Sequence, residues 1–230
     1  MATKLDRKRI LVVGASRGLG LGLAREFLRR GYHVTATVRS AISGGGLENY
    51  YEQLTLDTLD INNPNLTEAF LERMKSKVFD LVVLNAGIYG PLEKTLGEVK
   101  VEDISHVVMT NAINPVRLAE GLVPTLRPET GVLAFMSSAM GSLELNANDA
   151  SELYCASKAM LNRLTRAFAA AHDYLTITNL HPGWVRTDMG GLNAPLDVET
   201  SARGMADVLE SRAGGGGHEF RDYRGKIVPW

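Results

Sequence analysis

Short aliphatic segments alternate with segments of helical periodicity along most of this 230-residue chain. The first, Ile10–Val13, is a continuous apolar run closed by Gly14, which is typical of a parallel strand covered on both faces. A helical pattern over Gly18–Arg30 follows, and then a second strand over His33–Val38. Further strands are predicted at Leu54–Leu59, Phe79–Leu84, Val132–Ser137 and Leu175–Leu180, and further helices at Leu66–Lys75, Val101–Leu122, Tyr154–Ala171 and Val198–Ser211. The alternation predicts an α/β fold built on a layered sheet.

Two glycine-rich stretches interrupt this alternation, Ser40–Gly46 and Ala213–Gly217. Both are interpreted as loops, because neither separates two segments that could form independent cores. A chain of this length suits one hydrophobic core, so we expect a single domain over residues 1–230. The segment after the second stretch, Phe220–Trp230, is predicted to add an edge strand, with a disordered end as the alternative.

The composition excludes some classes of partner and compartment. The chain carries 25 basic and 26 acidic residues, mixed along its length, so binding to nucleic acid or to a membrane is not expected. Cys155 is the only cysteine, which agrees with a reducing compartment. The apolar run at Ile10–Val13 is too short for a signal sequence, so a cytoplasmic protein is expected. No metal is predicted, because the histidines lack metal-ligand spacing: His33, His106, His172, His181 and His218.

A glycine-rich turn lies between the first strand and the first helix. It reads Gly14-Ala15-Ser16-Arg17-Gly18-Leu19-Gly20. Glycines allow a tight turn and a close approach to a pyrophosphate, and a helix N-terminus offers free N–H groups to its charge. A turn that serves only close packing is the alternative. The position between strand and helix favours dinucleotide binding.

The end of the second strand bears on the choice of dinucleotide. An enzyme that uses NAD tends to carry an acidic residue there for the ribose 2′-hydroxyl, but this chain has Thr37, Val38 and Arg39. Arg39 and Arg17 could instead grip a 2′-phosphate through charge-assisted hydrogen bonds. NADP(H) is therefore favoured over NAD(H). The alternative is that both arginines are solvated surface charges.

A tyrosine and a lysine stand four residues apart in a predicted helix. At that spacing Tyr154 and Lys158 share one face. A free tyrosine, with a pKa of about 10, is a weak base at neutral pH, and a neighbouring ammonium should lower the pKa of the phenol. The pair is thus a candidate general acid and base.

Five motifs stand together in order and spacing: Gly14-x-x-x-Gly18-x-Gly20, Asn85-Ala86-Gly87, Ser137-Ser138-x-x-Gly141, Tyr154-x-x-x-Lys158 and Pro182-Gly183. With them the chain resembles the short-chain dehydrogenase/reductase family over essentially its whole length. The stretches His181–Gly191 and Gly225–Trp230 resemble the carbonyl-reductase-like and C-factor-like branch. The resemblance implies a Rossmann-type, doubly wound parallel sheet with helices on both faces. Its nucleotide-binding part would span about residues 8–140, and its catalytic and substrate part about residues 138–230.

The resemblance also implies roles for individual residues. The catalytic set would be Asn111, Ser138, Tyr154 and Lys158, with Ser137 as the alternative to Ser138. Asn111 would hold a water that continues the proton path from Lys158, whose ammonium would also bind the nicotinamide ribose. Further cofactor contacts would come from Asp60, Ile61, Asn85, Ala86, Gly87, Pro182, Gly183, Val185 and Thr187, with Asp57 as the alternative to Asp60. Candidate walls of the substrate pocket are Tyr89, Met140, Leu143, Trp184 and Met189.

The expected activity is NADPH-dependent reduction of a small aldehyde or ketone, reversible as oxidation of the alcohol. One alternative is an NAD-linked dehydrogenase of a hydroxy compound. Another is a dinucleotide-binding signalling protein like C-factor. The resemblance also implies a homodimer or homotetramer, formed through the predicted helices Val101–Leu122 and Tyr154–Ala171, although monomers occur in the reductase-like branch.

Overall fold

A computed structural model describes residues 7–40, 47, 52–91, 95–145 and 151–230. In these ranges seven strands form one parallel sheet: β1 Arg9–Val13, β2 His33–Val38, β3 Leu54–Thr58, β4 Leu81–Leu84, β5 Val132–Met136, β6 Thr176–His181 and β7 Gly217–Asp222. Their order across the sheet is β3-β2-β1-β4-β5-β6-β7. The chain therefore winds in one direction from β1 to β3 and in the other from β4 onward, so the switch point lies between β1 and β4.

Helices cover both faces of the sheet. They are α1 Gly18–Arg29, α2 Pro64–Met74, α3 Val101–Val108, α4 Asn114–Leu122, α5 Glu152–Ala171 and α6 Val198–Arg212. Helices α1 and α6 pack on one face, and α2, α4 and α5 pack on the other. The predicted doubly wound parallel sheet is confirmed. Within the described ranges, no helix is long and apolar enough to cross a membrane.

From Ile10 to Val13, strand β1 is apolar at every position, with no alternation of apolar and polar residues, because both of its faces are buried. Ile10 and Val12 belong to the core under α1 and α6, whereas Leu11 and Val13 belong to the core under α2, α4 and α5. All four side chains are at most 2% exposed. Since successive residues of a strand point to opposite faces, a strand covered on both sides must be apolar at every position.

The predicted helix over Val101–Leu122 is interrupted. A π-helical turn over Met109–Ile113 separates α3 from α4, and the Asn114 N–H donates to the carbonyl of Met109. The cause is Pro115, which has no N–H to donate to the carbonyl of Asn111, four residues before it. The turn thus places Asn111 at a break in the regular hydrogen bonding.

The end of the chain differs from its prediction. The edge strand β7 is Gly217–Asp222, so it begins inside the predicted loop Ala213–Gly217 and ends before the predicted strand does. After a turn, the tail runs back along β7, and the Val228 N–H donates to the carbonyl of Phe220. The carbonyl of Trp230 accepts the Leu143 N–H at 2.9 Å, so the terminal residue is held. Most of the other predicted loop, Ser40–Gly46, lies outside the described residues.

A cluster of charges holds α1 against α6. Glu26 is only 6% exposed, and its carboxylate accepts hydrogen bonds from Arg29 and Arg30. Arg30 also contacts Asp207 at 2.7 Å and forms an ion pair with Glu210. The hydrogen bond from Arg29, and to a smaller extent that from Arg30, lowers the pKa of Glu26, whereas burial of the carboxylate raises it. The net effect is a lowered pKa. The charged form of Glu26 therefore stabilises the fold.

We expect Glu26→Gln to lower the free energy of unfolding at pH 7 by about 1.5–3 kcal/mol, the usual range for a hydrogen bond to a charged group. Because the folded pKa is depressed, this contribution is present above the unfolded pKa of about 4.3 and is lost as pH falls through the folded value. Urea unfolding of both proteins between pH 3 and 7 should show the difference shrinking on the acidic side. Glu68→Gln, on the exposed face of α2, should change nothing.

Candidate active site

A cleft of about 630 Å³ opens at the carboxyl ends of β1, β4, β5 and β6, beside the switch point. This volume lies within the range of about 300–1,000 Å³ that is typical of ligand pockets. Most of the predicted site residues line it: Gly14, Ser16, Arg17, Gly18, Leu19, Arg39, Asp60, Ile61, Asn85, Ala86, Gly87, Tyr89, Ser138, Met140, Tyr154, Lys158, Pro182, Gly183, Trp184, Val185, Thr187 and Met189. Gly20 and Asn111 do not line it, and neither does Leu143, which is 83% exposed.

The glycine turn is held tightly against the end of the sheet. Gly14 has a φ of +85°, its N–H donates to the Thr37 hydroxyl at 3.0 Å, and its carbonyl accepts from the Asn85 amide at 2.7 Å. A Cβ on Gly20 would lie 2.0 Å from the carbonyl oxygen of Gly14. Helix α1 can therefore start this close to β1 only with glycine at position 20. The cradle fits the pyrophosphate of a dinucleotide, since it brings the first N–H groups of a helix to the floor of the cleft.

The two predicted phosphate-binding arginines differ in their surroundings. Arg17 forms an ion pair with Asp188, on the segment that follows β6, and both side chains are largely exposed. This contact crosses the mouth of the cleft between α1 and the substrate side, and the sequence did not predict it. Arg39 directly follows β2 and is exposed along the same cleft. Of these two arginines, Arg39 is the one at the end of β2.

The sequence offers two aspartates, Asp57 and Asp60, as the residue beside the adenine, and the structure places them differently. Asp57 forms hydrogen bonds with Arg73 of α2 at 2.8 and 3.1 Å and does not line the cleft. Asp60 lines the cleft together with Ile61, and its carboxylate accepts the Asn62 N–H at 2.9 Å. The geometry therefore favours Asp60 as the residue beside a bound nucleotide.

Ser138, Tyr154 and Lys158 meet at the inner end of the cleft. The Ser138 hydroxyl lies close enough to the Tyr154 phenol to lower its pKa. The ammonium of Lys158 lies 5.7 Å from the centroid of the Tyr154 ring and donates to the carbonyl of Met136 at 2.8 Å. Ser137 instead donates its hydroxyl to the amide oxygen of Asn162 at 2.6 Å. Between the two serines, Ser138 is the one that can share a substrate oxygen with Tyr154.

The pKa of Tyr154 shifts in the direction opposite to the prediction. Burial raises the pKa of the phenol above its ordinary value, and the hydrogen bond from Ser138 opposes that rise without cancelling it. Burial also lowers the pKa of Lys158 to about 8, so its ammonium is still mostly charged at neutral pH. Removing water from the phenolate is therefore the dominant effect on the pKa of Tyr154.

Asn111 lies behind the cleft. Its side chain is fully buried, donates to the carbonyl of Ile88 at 2.8 Å and to the Ser157 hydroxyl at 3.0 Å, and accepts the Ile88 N–H at 2.8 Å. The amide therefore ties the segment after β4 to α5. Pro115 has no N–H to donate to the main-chain carbonyl of Asn111. That carbonyl is therefore the part of Asn111 at which the predicted water could bind.

The walls at the substrate end are largely apolar. The ring of Tyr89 stacks on that of Tyr154 with centroids 4.8 Å apart, and its hydroxyl is hydrogen-bonded to Ser151. Trp184 is held by a hydrogen bond from its indole N–H to the carbonyl of Gly190 at 2.8 Å. Met140 and Met189 complete this part of the lining.

Sequence analysis missed several lining residues. His181 lines the cleft, where its Nδ1 accepts the Ala139 N–H at 3.1 Å and burial lowers its pKa, so the ring is neutral at pH 7. Asn62, His106, Thr110 and Asp188 also line it. Only their proximity in sequence to Ile61, Asn111 and Thr187 could have suggested them. Among the described residues, no group of three His, Cys, Asp or Glu side chains could hold a metal ion.

Comparison with known proteins identifies the family. A model of the short chain dehydrogenases matches residues 8–195. The chain belongs to this family. A short-chain dehydrogenase/reductase from Burkholderia multivorans with bound NADP superposes with a TM-score of 0.94 at 41% identity, covering 98% of this chain and 100% of that one. A carbonyl reductase from Pseudomonas aeruginosa PAO1 in complex with NADP has a TM-score of 0.90 at 42% identity, covering 98% and 100%.

A curated relative supports the narrower resemblance. The protein called C-signal of Myxococcus xanthus is 36% identical over 168 residues, which are 70% of this chain and 99% of that protein. Together with the carbonyl reductase structure, it confirms the predicted family and branch. The short-chain dehydrogenase described here is thus an NAD(P)-dependent oxidoreductase.

We expect Gly20→Ala to weaken dinucleotide binding about tenfold or more and to lower the free energy of unfolding by about 1–3 kcal/mol, the usual cost of overpacking. The added Cβ would force α1 away from Gly14, and the anion cradle would open. Gly97→Ala is the matched control, because a Cβ there meets nothing within 4 Å. Fluorescence titration with NADPH and urea unfolding give both quantities. Unchanged binding in Gly20→Ala would contradict the cradle.

Proposed function

We propose that this dehydrogenase uses NADPH to reduce a small, neutral aldehyde or ketone to the alcohol. The observation that carries the proposal is the grouping of the Ser138 and Tyr154 hydroxyls with the ammonium of Lys158, at one end of a cleft that begins at the glycine turn. An acid, a hydrogen-bond donor and a cation around one point suit a carbonyl oxygen that gains negative charge.

Ser138 and Tyr154 act on the carbonyl oxygen. Both hydroxyls donate hydrogen bonds to it, and Tyr154 transfers its proton as the oxygen becomes an alkoxide. Because burial raises the pKa of Tyr154, the phenol carries its proton at neutral pH and can act as the acid. In the reverse direction the same phenol, deprotonated, accepts the proton of the alcohol.

Lys158 stabilises the phenolate that remains after the proton has moved. Its ammonium lies over the same ring at 5.7 Å, in a buried site where a charge acts more strongly than in water. Met136 accepts one of its hydrogen bonds, which fixes the ammonium between β5 and α5. The family resemblance adds contact with the nicotinamide ribose.

The chain's own residues fit NADP at both ends of the dinucleotide. When bound, its reduced nicotinamide supplies the hydride that the carbonyl carbon accepts. The glycine turn would hold the pyrophosphate, Arg39 the 2′-phosphate, and Asp60 and Ile61 the adenine. NADP in the related Burkholderia and Pseudomonas structures supports this choice.

The substrate end supports a neutral, moderately apolar compound. Tyr89, Met140, Trp184 and Met189 present mainly carbon surface, and His181 is uncharged. A panel of aldehydes, ketones and alcohols, tested with both dinucleotides by absorbance of the reduced nicotinamide, would test the proposed activity. Turnover of alcohols with NAD alone would favour the NAD-linked alternative, and binding without turnover would favour a signalling role.

We expect Tyr154→Phe to abolish turnover while the affinity for NADPH stays within a few-fold of wild type. The ring and its stacking on Tyr89 remain, and only the transferable proton is lost. Steady-state kinetics and NADPH fluorescence separate the two effects. Turnover retained at even a tenth of the wild-type rate would remove Tyr154 from the proton transfer.

We expect Arg39→Asp to invert the cofactor preference. Loss of one charge-assisted contact with a phosphate costs about 1.5–3 kcal/mol, which is roughly a ten- to hundredfold loss of NADPH affinity. The new carboxylate also repels the 2′-phosphate and can accept a hydrogen bond from the ribose of NADH. The measurement is kcat/KM for NADPH over NADH at fixed salt, because salt screens an exposed phosphate site.

Arg163→Asp, on the exposed face of α5 outside the cleft, is the matched control for charge alone. It should leave the NADPH to NADH ratio unchanged. A wild-type ratio below one, or a ratio that Arg39→Asp does not alter, would assign Arg39 to the solvated surface.

A further inference from the structure

Helix α5 presents three polar side chains at intervals of one turn: Tyr154, Lys158 and Asn162. The proposed function uses the first two. Asn162 is only 4% exposed, and it does not line the cleft. The hydrogen-bond partners of this amide therefore have to be identified, because a polar group removed from water must be hydrogen-bonded.

Asn162 is bonded to both ends of the segment that carries Ser138. Its amide oxygen accepts the hydroxyl of Ser137 at 2.6 Å, and its amide nitrogen donates to the carbonyl of Gly141 at 3.1 Å. Residues 137–141 are thus tied to the helix that carries Tyr154. A Cβ on Gly141 would lie 2.6 Å from the carbonyl carbon of Lys158, so the segment lies directly against α5.

The orientation of the amide is itself fixed from behind. Asn179 of β6 donates to the amide oxygen of Asn162 at 2.9 Å and also to the hydroxyl of Thr165. His218 of β7 lies 3.1 Å from the amide oxygen of Asn179. Burial and the charges of Arg166 and Arg212 lower the pKa of His218 to about 4, so it is neutral at physiological pH and its N–H can donate. A flipped Asn162 amide would turn its NH₂ toward these donors.

We propose that Asn162 is a positioning residue that holds Ser138 against Tyr154. It acts through two ties, one before Ser138 and one after it, and it contacts neither substrate nor cofactor. The inference rests on the proposed function, because it requires that Ser138 and Tyr154 act together on one oxygen. Loss of the ties should leave the cleft formed but the Ser138 hydroxyl displaced from the Tyr154 phenol.

The principal test is Asn162→Ala. We expect kcat to fall about tenfold to a hundredfold, the scale of effect of a misplaced catalytic group, with the NADPH Kd within a few-fold of wild type. A general loss of stability would weaken NADPH binding together with kcat, so the split between kcat and the NADPH Kd is the readout.

A double variant separates positioning from a general loss of stability. If Asn162 acts through Ser138, then Ser138→Ala combined with Asn162→Ala should be no slower than Ser138→Ala alone. Losses that multiply, or a wild-type kcat for Asn162→Ala, would overturn the proposal.

Ser137→Ala keeps the test informative if Asn162→Ala does not fold. It removes one tie and leaves the bond to Gly141, so a smaller fall in kcat is expected. An unchanged kcat would overturn the proposal. Thr125→Val is the matched control: it also removes one buried hydroxyl, which donates to the carbonyl of Leu122, but Thr125 does not line the cleft, so kcat should not change. Full activity of Ser138→Ala would instead refute the proposed function itself.

Discussion

The amide of Asn85 holds the carbonyl of Gly14 at 2.7 Å, and this bond joins the ends of β4 and β1 where the winding of the sheet reverses. The rest of the cleft depends on it. Gly20 then packs against the same carbonyl, which places the N-terminus of α1 over the ends of the strands. Asn85 and Gly20 both contact the carbonyl oxygen of Gly14. The position of the glycine turn therefore depends on the sheet as well as on the turn itself.

At the opposite end of the cleft, burial dominates the electrostatics. It raises the pKa of Tyr154 and lowers that of Lys158 to about 8, so both shifts disfavour the charged forms. Ser138 is the group that moves Tyr154 the other way. The segment that carries Ser138 is tied to α5 through Asn162, so the proposed positioning of this hydroxyl has a structural basis.

Two contacts connect the cofactor and substrate sides of the cleft. The ion pair of Arg17 with Asp188 spans its mouth, and Asn111 ties Ile88 to Ser157 behind its floor. The first is exposed and therefore weak. The second is buried and fully hydrogen-bonded, so it is the firmer of the two.

The sequence by itself determined the features that depend on neighbouring residues. The continuous apolar run of β1, the glycines of the first turn and the one-turn spacing of Tyr154 and Lys158 are local, because strand burial, steric freedom and helical period each involve a few adjacent positions. The family motifs then located the ends of β4, β5 and β6. These features were enough to predict the doubly wound sheet and the edge at which the cleft lies.

The tertiary structure alone decided what depends on distant groups. Arg17 meets Asp188 across 171 positions, Asp57 rather than Asp60 meets Arg73, and the amide of Asn162 bridges Ser137 and Gly141. The direction of the Tyr154 pKa shift belongs to the same class, since it follows from how completely the fold removes water from the phenol. Hydrogen-bond partners and desolvation are set by packing between elements far apart in the chain, and no local pattern encodes them.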